Sequence, residues 1–179
     1  MPSQWYGTTC TTTKDCPSNM TCDDGSNESY DGTRLPAGDG TDPGEFTVST
    51  DGLTVTDTIT GLVWQRDGSG TRSGCSGSGN LTCMLAEAKA YCAGLVLGGL
   101  SGWRLSARHE LLTIVDFDFV GGIGNPSIDP TAFPNTPAET FWTSSPYGNS
   151  SDYAWYVYFW EGNPGYLGGD NGLRVRCVR

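Results

Sequence analysis

The residues best suited to chemistry in this chain lie between positions 147 and 172, where aromatic side chains are interleaved with small polar ones. Tyr and Trp rings can stack on the apolar faces of sugar rings, while Asn, Asp and Glu can bond hydroxyl groups. Antibody paratopes have a similar composition, in which Tyr supplies rigid contact area and Ser, Gly and Asn supply adaptable hydrogen bonds. We therefore predict ligand-binding residues in this stretch. They are Tyr147, Asn149, Tyr153, Tyr156, Tyr158, Trp160, Glu161, Asn163, Tyr166, Asp170 and Asn171.

Residues arranged for catalysis are scarce. His109-Glu110 does not extend to HExxH because position 113 is Thr, and there is no nucleophile elbow, phosphate loop or dinucleotide fingerprint. We expect His109 to be a structural or surface residue. We expect the neighbouring carboxylates Asp116 and Asp118 to be solvated at a helix end. No enzyme activity and no catalytic residue is predicted.

Acidic, Gly-rich segments raise the question of calcium, which binds several oxygen ligands. The weak candidates are Asp39, Asp42 and Glu45 in one segment, and Glu161, Asn163, Asp170 and Asn171 in another. Neither segment has the spacing of a helix-loop-helix calcium site. We favour solvated turn residues, so no cofactor is predicted and structural calcium remains the alternative.

The charge of the chain limits its partners. Ten basic against twenty acidic residues give a net charge of −10, which repels nucleic acid and anionic membrane surfaces. No apolar run is long enough to span a membrane. Residues 109–173 contain no Lys or Arg, which disfavours sulfated or phosphorylated glycans and suits a neutral glycan, a protein or a peptide.

Seven cysteines without a CxxC pair, beside a single His, favour disulfides over zinc or redox chemistry. We expect Cys75 and Cys83 to close a Gly/Ser-rich loop. The odd count leaves one thiol that is free or paired outside this sequence. These features predict an extracellular or cell-surface location, reached through an export signal that the sequence does not contain.

Several elements must position these residues. Residues 1–45 are polar and predict a loop-rich, Cys-containing extension. From Phe46 onward, alternating residues predict short strands with turns at Asp51-Gly52 and Thr60-Gly61. Two helices are expected, with Thr82 and Ser106 as their N-caps. Short strands fill the C-terminal part and "EGNPGYLGGDNG" is expected to be a loop, so the fold class is α+β with an antiparallel sheet.

A set of ordered motifs resembles a known family. The segments "TDTITGLVWQRDG", "AYC", "GWRLSARHELLTIVD", "NPSIDPTAFPNTPAETFWTSS", "AWYVYF" and "VRCVR" are similar to those of the Lcl-type C-terminal domain, a secreted bacterial module. The resemblance covers residues 46–179, and residues 1–45 look like a Cys-rich spacer. It implies a C-type-lectin-like fold, in the branch shared with formylglycine-generating enzymes, with two helices, short antiparallel strands and long ordered loops.

The resemblance also assigns roles to residues. It implies that Trp64, Trp103, Trp142 and Trp155 are core aromatics, that Arg104 holds loop carbonyls or a carboxylate, and that Cys92 and Cys177 form a disulfide. The family pattern A-W-x-V-x-F implies that Trp155, Val157 and Phe159 face the core. Alternation along a strand then turns Tyr156, Tyr158 and Trp160 outward.

Two functional classes share this fold. A secreted or surface adhesion module would bind a glycan or protein ligand through its C-terminal aromatic surface. An oxidase of the formylglycine-generating type would need paired cysteines near the C-terminus, where only Cys177 follows Cys92. We expect the binding module. Within that class, residues 147–172 resemble the variable segment of proteins diversified by retroelements, and self-assembly into a homo-oligomer is a further alternative.

Overall fold

The computed structural model of the chain describes residues 45–116, 125–148 and 152–179. It contains helices and small antiparallel sheets, so the predicted α+β class is confirmed. The C-type-lectin-like fold itself stays a prediction. The expected extension and Asn149 lie outside the described residues.

A five-stranded sheet begins with three strands, β1 (Phe46–Val48), β2 (Thr54–Asp57) and β3 (Val63–Gln65), which pair antiparallel in order. Their turns fall where the sequence predicts them, because Gly52 and Gly61 adopt φ of 70° and 74°. The sheet is completed by β8 (Cys177–Val178) next to β3, and by β4 (Arg104–Leu105) at the far edge.

Both helices are confirmed, but both predicted N-caps are wrong. Helix α1 spans Leu85–Gly94 with Met84 at its N-cap, and α2 spans Arg108–Leu112 with Ala107 at its N-cap. In each case a glutamate carboxylate replaces the expected hydroxyl. Glu87 accepts a hydrogen bond from the Met84 amide at 2.9 Å, and Glu110 accepts one from the Ala107 amide at 2.8 Å.

A second sheet consists of β5 (Thr140–Pro146), β6 (Tyr153–Tyr158) and β7 (Asn163–Gly168), all antiparallel. The expectation that residues 161–172 form only a loop is wrong, because residue 163 through residue 168 pair with β6 without a break. Pro and Gly suggested a turn in the sequence. They are tolerated here because β7 is an edge strand, where Pro leaves no ladder hydrogen bond unmade.

Both faces of the three-stranded sheet are packed. On one face Phe141, Val157 and Phe159 join a core with β2, β3 and α2 residues. On the other face Trp142 and Ala154 join a core with α1 and β8 residues. Successive residues of a strand point to opposite faces, so one strand serves two cores. One face of the sheet is therefore packed by the second core, and the other face is packed by the first core near the β6–β7 turn.

The aromatic core is mostly as expected. Trp64, Trp103 and Trp142 are at most 3% exposed. Both expected disulfides are present, Cys75–Cys83 with a Cα–Cα distance of 4.6 Å and Cys92–Cys177 with one of 5.5 Å. The second bond ties α1 to β8. In the described part of the chain, none of the helices has the length and apolarity needed to cross a bilayer.

Candidate functional site

An irregularity in β5 brings the start of α2 against the three-stranded sheet. Three consecutive residues of β5 lie opposite a single β6 residue, Trp155, where the pairing register shifts. Within this bulge the Thr143 hydroxyl donates to the Trp155 carbonyl at 2.7 Å. The Ser145 hydroxyl oxygen accepts a hydrogen bond from the Arg108 amide at 2.9 Å. Bulges commonly redirect side chains in this way, and this one holds Arg108 near Trp155.

Three rings meet at this end of the sheet, Tyr147, Trp155 and Tyr166, which we call the surface aromatic cluster. The Tyr147 and Tyr166 rings are stacked, with centroids 3.6 Å apart and planes 7° apart. Trp155 meets both edge-on, with centroids 5.2 Å from Tyr147 and 6.1 Å from Tyr166. The cluster joins the end of β5 to the paired strands β6 and β7. Backbone hydrogen bonds between these strands therefore fix the backbone positions from which the rings project.

The surface aromatic cluster is open to solvent. Tyr166 is 49% exposed, and Tyr153, two residues before Trp155 on the same strand face, is 47% exposed. Trp155 is half-buried and belongs to neither core. Its expected place in the core is therefore wrong. The face that Val157 and Phe159 bury under α2 continues beyond the helix, and there it carries surface rings.

Arg108 is a site residue that the sequence did not reveal. The carbon centre of its guanidinium lies 4.3 Å from the centroid of the Trp155 ring, within cation–π range. No residue of the described part of the chain accepts a hydrogen bond from this guanidinium. Arg108 lies immediately before the stretch that lacks basic residues, and no spacing pattern connects it to Trp155.

The hydroxyl groups of the stacked tyrosines interact. A side-chain hydrogen bond with Tyr166, and the charge that Tyr166 would carry if ionised, raise the pKa of Tyr147 above its ordinary value. The Tyr147 phenol therefore stays protonated at neutral pH. A protonated phenol can donate to a ligand oxygen as well as accept from a ligand hydroxyl.

Polar residues border the cluster where β7 ends. Gly168 pairs with Tyr153, and the Asn171 side-chain amide donates to the Gly168 carbonyl at 2.9 Å and to Asp170 at 3.1 Å. Asp170 and Asn171 are both exposed. Five predicted binding residues thus fall in one region: Tyr147, Tyr153, Tyr166, Asp170 and Asn171.

Four other predicted residues lie at the opposite end of the β6–β7 hairpin. They are Tyr158, Trp160, Glu161 and Asn163. Tyr158 pairs with Asn163 at the turn, whereas Tyr153 pairs with Gly168 at the far end. Five strand steps separate the two ends, about 17 Å at the usual rise per residue. One small ligand cannot contact both groups.

Tyr156 is not the outward ring that alternation implied. It is half-buried and packs against the core that contains Trp142 and Ala154. Its phenol lies across Gly165, where any side chain would collide with it. Tyr158 and Trp160 are also half-buried, so the expected outward set does not form an exposed patch.

The calcium candidates do not converge. Asn163 donates to Glu161 at 2.9 Å at the turn, while Asp170 and Asn171 lie beyond the other end of β7. These four residues cannot surround one ion. Glu45 is buried, and Asp39 and Asp42 lie outside the described residues. In the part of the chain that the structure describes, no three acidic, His or Cys side chains are grouped to hold a metal.

The expectations for the remaining charged and titratable residues are met in some cases and not in others. His109 is exposed, as expected of a surface residue. Asp116 is 4% exposed and has a partner, so its expected solvation is wrong, and Asp118 lies outside the described residues. Arg104 binds a carboxylate, as expected, through two hydrogen bonds of 2.6 and 2.5 Å to Glu110.

Comparison with known families agrees with the motifs. The family model of the Lcl C-terminal domain matches residues 53–179. The chain belongs to the Lcl C-terminal domain family. No curated protein matches it. The matched region begins at the turn before β2, so it contains α1, α2, both disulfides and the surface aromatic cluster, and excludes β1.

Membership of the Lcl C-terminal domain family indicates a surface-associated domain. The two disulfides are compatible with an extracellular location, because such bonds persist in oxidising compartments. In this Lcl C-terminal domain, the features that could contact a partner are the surface aromatic cluster, Tyr153 and Arg108.

Proposed function

We propose that this chain is a non-enzymatic binding or adhesion module of a secreted or cell-surface protein, and that its glycan or protein ligand contacts the surface aromatic cluster. The observation that carries the proposal is the exposed Tyr166 ring, stacked on Tyr147 and braced by Trp155. Grouped aromatic rings at a surface are typical of interaction sites.

The rigidity of the cluster supports this function. Trp155 and Tyr166 lie directly opposite each other on β6 and β7. The Tyr147 amide donates a hydrogen bond to the Tyr153 carbonyl at 3.0 Å. Side chains that are already ordered lose little conformational entropy when a ligand arrives. A preformed surface of this kind suits recognition.

The cysteines support a non-enzymatic role over an oxidase. Each of the four cysteines in the described ranges is engaged in a disulfide. Among the described residues, an oxidase that uses active-site thiols would need at least one of these bonds to open. Cys92 and Cys177 are fully buried, which protects their bond from exchange.

The proposal is tested by screening the full chain on glycan and protein arrays, with Tyr147→Ala/Tyr166→Ala as the site variant. We expect the variant to bind the captured ligand at least about tenfold more weakly, since truncating central aromatic contacts typically costs 1–2 kcal/mol or more. Its melting temperature should change little because Tyr166 is exposed, Tyr147 is only half-buried, and neither ring belongs to a core.

Tyr158→Ala is the matched control, since it removes one ring at the other end of β6. It should retain full ligand binding. Unchanged binding by the Tyr147→Ala/Tyr166→Ala variant would exclude the surface aromatic cluster as the contact site. A second pattern, in which size in solution rises with concentration and the cluster variant abolishes that rise, would favour self-assembly instead.

A further inference from the structure

We propose that the ligand of this surface is a terminal acidic sugar, and that Arg108 binds its single carboxylate. This inference rests on the proposed function and names the ligand class for the same site. It replaces the expectation of a neutral ligand, which followed from the absence of basic residues in the stretch 109–173.

The guanidinium of Arg108 is held in place, but its N–H donors have no acceptor among the described residues. Trp155 lies beneath it at 4.3 Å, and the Arg108 amide is anchored to the Ser145 hydroxyl. A guanidinium offers five N–H donors in a planar fork that matches a carboxylate. None of these donors has an acceptor among residues 45–116, 125–148 and 152–179.

Five of the six other arginines in the described ranges are used differently. The guanidinium groups that donate to protein acceptors are those of Arg66, Arg72, Arg104, Arg174 and Arg176. Each of them ties a loop or a carboxylate into the fold. Arg108 instead lies over Trp155, the ring that contacts Tyr147 and Tyr166, which is the arrangement expected of a residue that meets a ligand at this surface.

The surroundings of Arg108 favour a sugar. Exposed faces of Tyr153 and Tyr166 can lie against the C–H face of a pyranose ring, and the Tyr147 hydroxyl can bond its hydroxyls. Asp170 and Asn171 supply further polar groups at the edge. Arg108 lies over Trp155, which contacts both stacked tyrosines, so we place the carboxylate of the same sugar ring at its guanidinium.

The charge of the chain favours a single carboxylate over a polyanion. A net charge of −10 repels negative ligands, and the repulsion grows with each negative group that a sulfated polysaccharide or an acidic peptide carries. One carboxylate meets one guanidinium, and the rest of the ligand remains neutral. Arg108 therefore selects a sugar that carries one acidic group.

The test measures binding of defined probes to the full chain by calorimetry. The probes are 3′-sialyllactose, its carboxylate methyl ester, lactose, a glucuronic-acid disaccharide, heparin and a hexaglutamate peptide. We expect one or both acidic sugars to bind, with the ester and lactose at least about tenfold weaker, because a charge-assisted bidentate pair is lost. Binding should weaken as salt concentration rises.

The variants are Arg108→Met, Arg108→Lys and, as the matched control, Arg179→Met at the C-terminal end of the five-stranded sheet. Arg108→Met should lose the difference between acid and ester, and Arg108→Lys should keep part of it, because Lys retains the charge but not the fork. Arg179→Met should bind like the original chain. Equal melting temperatures exclude misfolding as the cause.

Four outcomes would overturn the inference. They are equal binding of lactose and the acidic sugars, tighter binding of heparin, binding of the hexaglutamate peptide alone, and no binding of either acidic sugar. If an array ligand is neutral and the Tyr147→Ala/Tyr166→Ala variant loses it, the proposed function holds and only the acidic-sugar inference fails. If that variant binds normally, the proposed function itself fails.

Discussion

At the scale of single residues, Glu110 illustrates how one carboxylate can organise a short helix. It accepts a hydrogen bond from the Ala107 amide at the start of α2 and pairs with Arg104. α2 spans only Arg108–Leu112, too short to be stable without its cap and its packing. Arg108 is the first residue of α2. By stabilising the start of this helix, Glu110 therefore also helps to position the guanidinium over Trp155.

Glu110 should make stability depend on acid pH. The hydrogen bond from Arg104 is the main cause that lowers the pKa of Glu110 below 4.5, and the Ala107 amide adds to it. A carboxyl with a lowered pKa contributes stability above its unfolded value, and this is lost as pH falls through the folded value. We expect Glu110→Gln to cost about 1 kcal/mol of unfolding free energy at pH 7, as lost caps do.

Urea denaturation at pH 7 and pH 3 checks this prediction. The difference in unfolding free energy between the original chain and Glu110→Gln should narrow from pH 7 to pH 3, because native Glu110 gains a proton as the pH falls towards its lowered pKa. Glu161→Gln serves as the control, because Glu161 is exposed at the β6–β7 turn and bonds only to a neighbouring Asn. If Glu110→Gln lowers the free energy of unfolding by the same amount at both pH values, the assigned role of Glu110 is contradicted.

At the scale of elements, the β6–β7 hairpin separates stability from recognition along its length. One of its faces is packed at Ala154 and Tyr156, and the other face is buried at Val157, near the turn. Farther from the turn, this second face carries Trp155 and Tyr166, which extend past α2 into solvent. The bulge in β5 and the short length of α2 decide where burial stops, and therefore which rings are free to meet a ligand.

The two disulfides should contribute unequally to stability. Cys92–Cys177 closes a sequence separation of 85 residues and Cys75–Cys83 one of 8. In the chain-entropy model, these separations correspond to roughly 4–5 and about 2.5 kcal/mol of unfolding free energy. We expect Cys92→Ala/Cys177→Ala to be destabilised about twice as much as Cys75→Ala/Cys83→Ala.

Chemical denaturation of both double variants in the full chain provides the measurement. All four cysteines are buried, so the small cavities left by Ala affect both pairs and the comparison is matched. Equal losses would mean that native packing, rather than the length of the closed loop, determines the contribution of each bond.

At the scale of the whole molecule, residues 45–179 contain the two cores and both disulfides that the structure describes. Residues 1–44 are rich in Thr, Asp, Gly and Ser and offer few large apolar groups. From this composition we expect most of the apolar area that stabilises the fold to be buried within residues 45–179.

We expect a fragment of residues 45–179 to fold independently. Its thermal unfolding should be cooperative, with a melting temperature within a few degrees of that of the full chain, because residues 1–44 offer few large apolar groups to bury. Calorimetry of both proteins checks this. A fragment that is unfolded or that melts without cooperativity would show that residues 1–44 are part of the folding unit.

The sequence by itself determined the α+β class, the family, the strand turns, three core tryptophans and the Cys75–Cys83 loop, because each depends on local pattern or on motifs in order. It could not locate β7, whose Pro and Gly are permitted only by its edge position. It also mislocated Trp155 and omitted Arg108. Whether Trp155 is core or surface depends on where α2 ends, and its contact with Arg108 joins residues 47 positions apart. Long-range packing alone decides both.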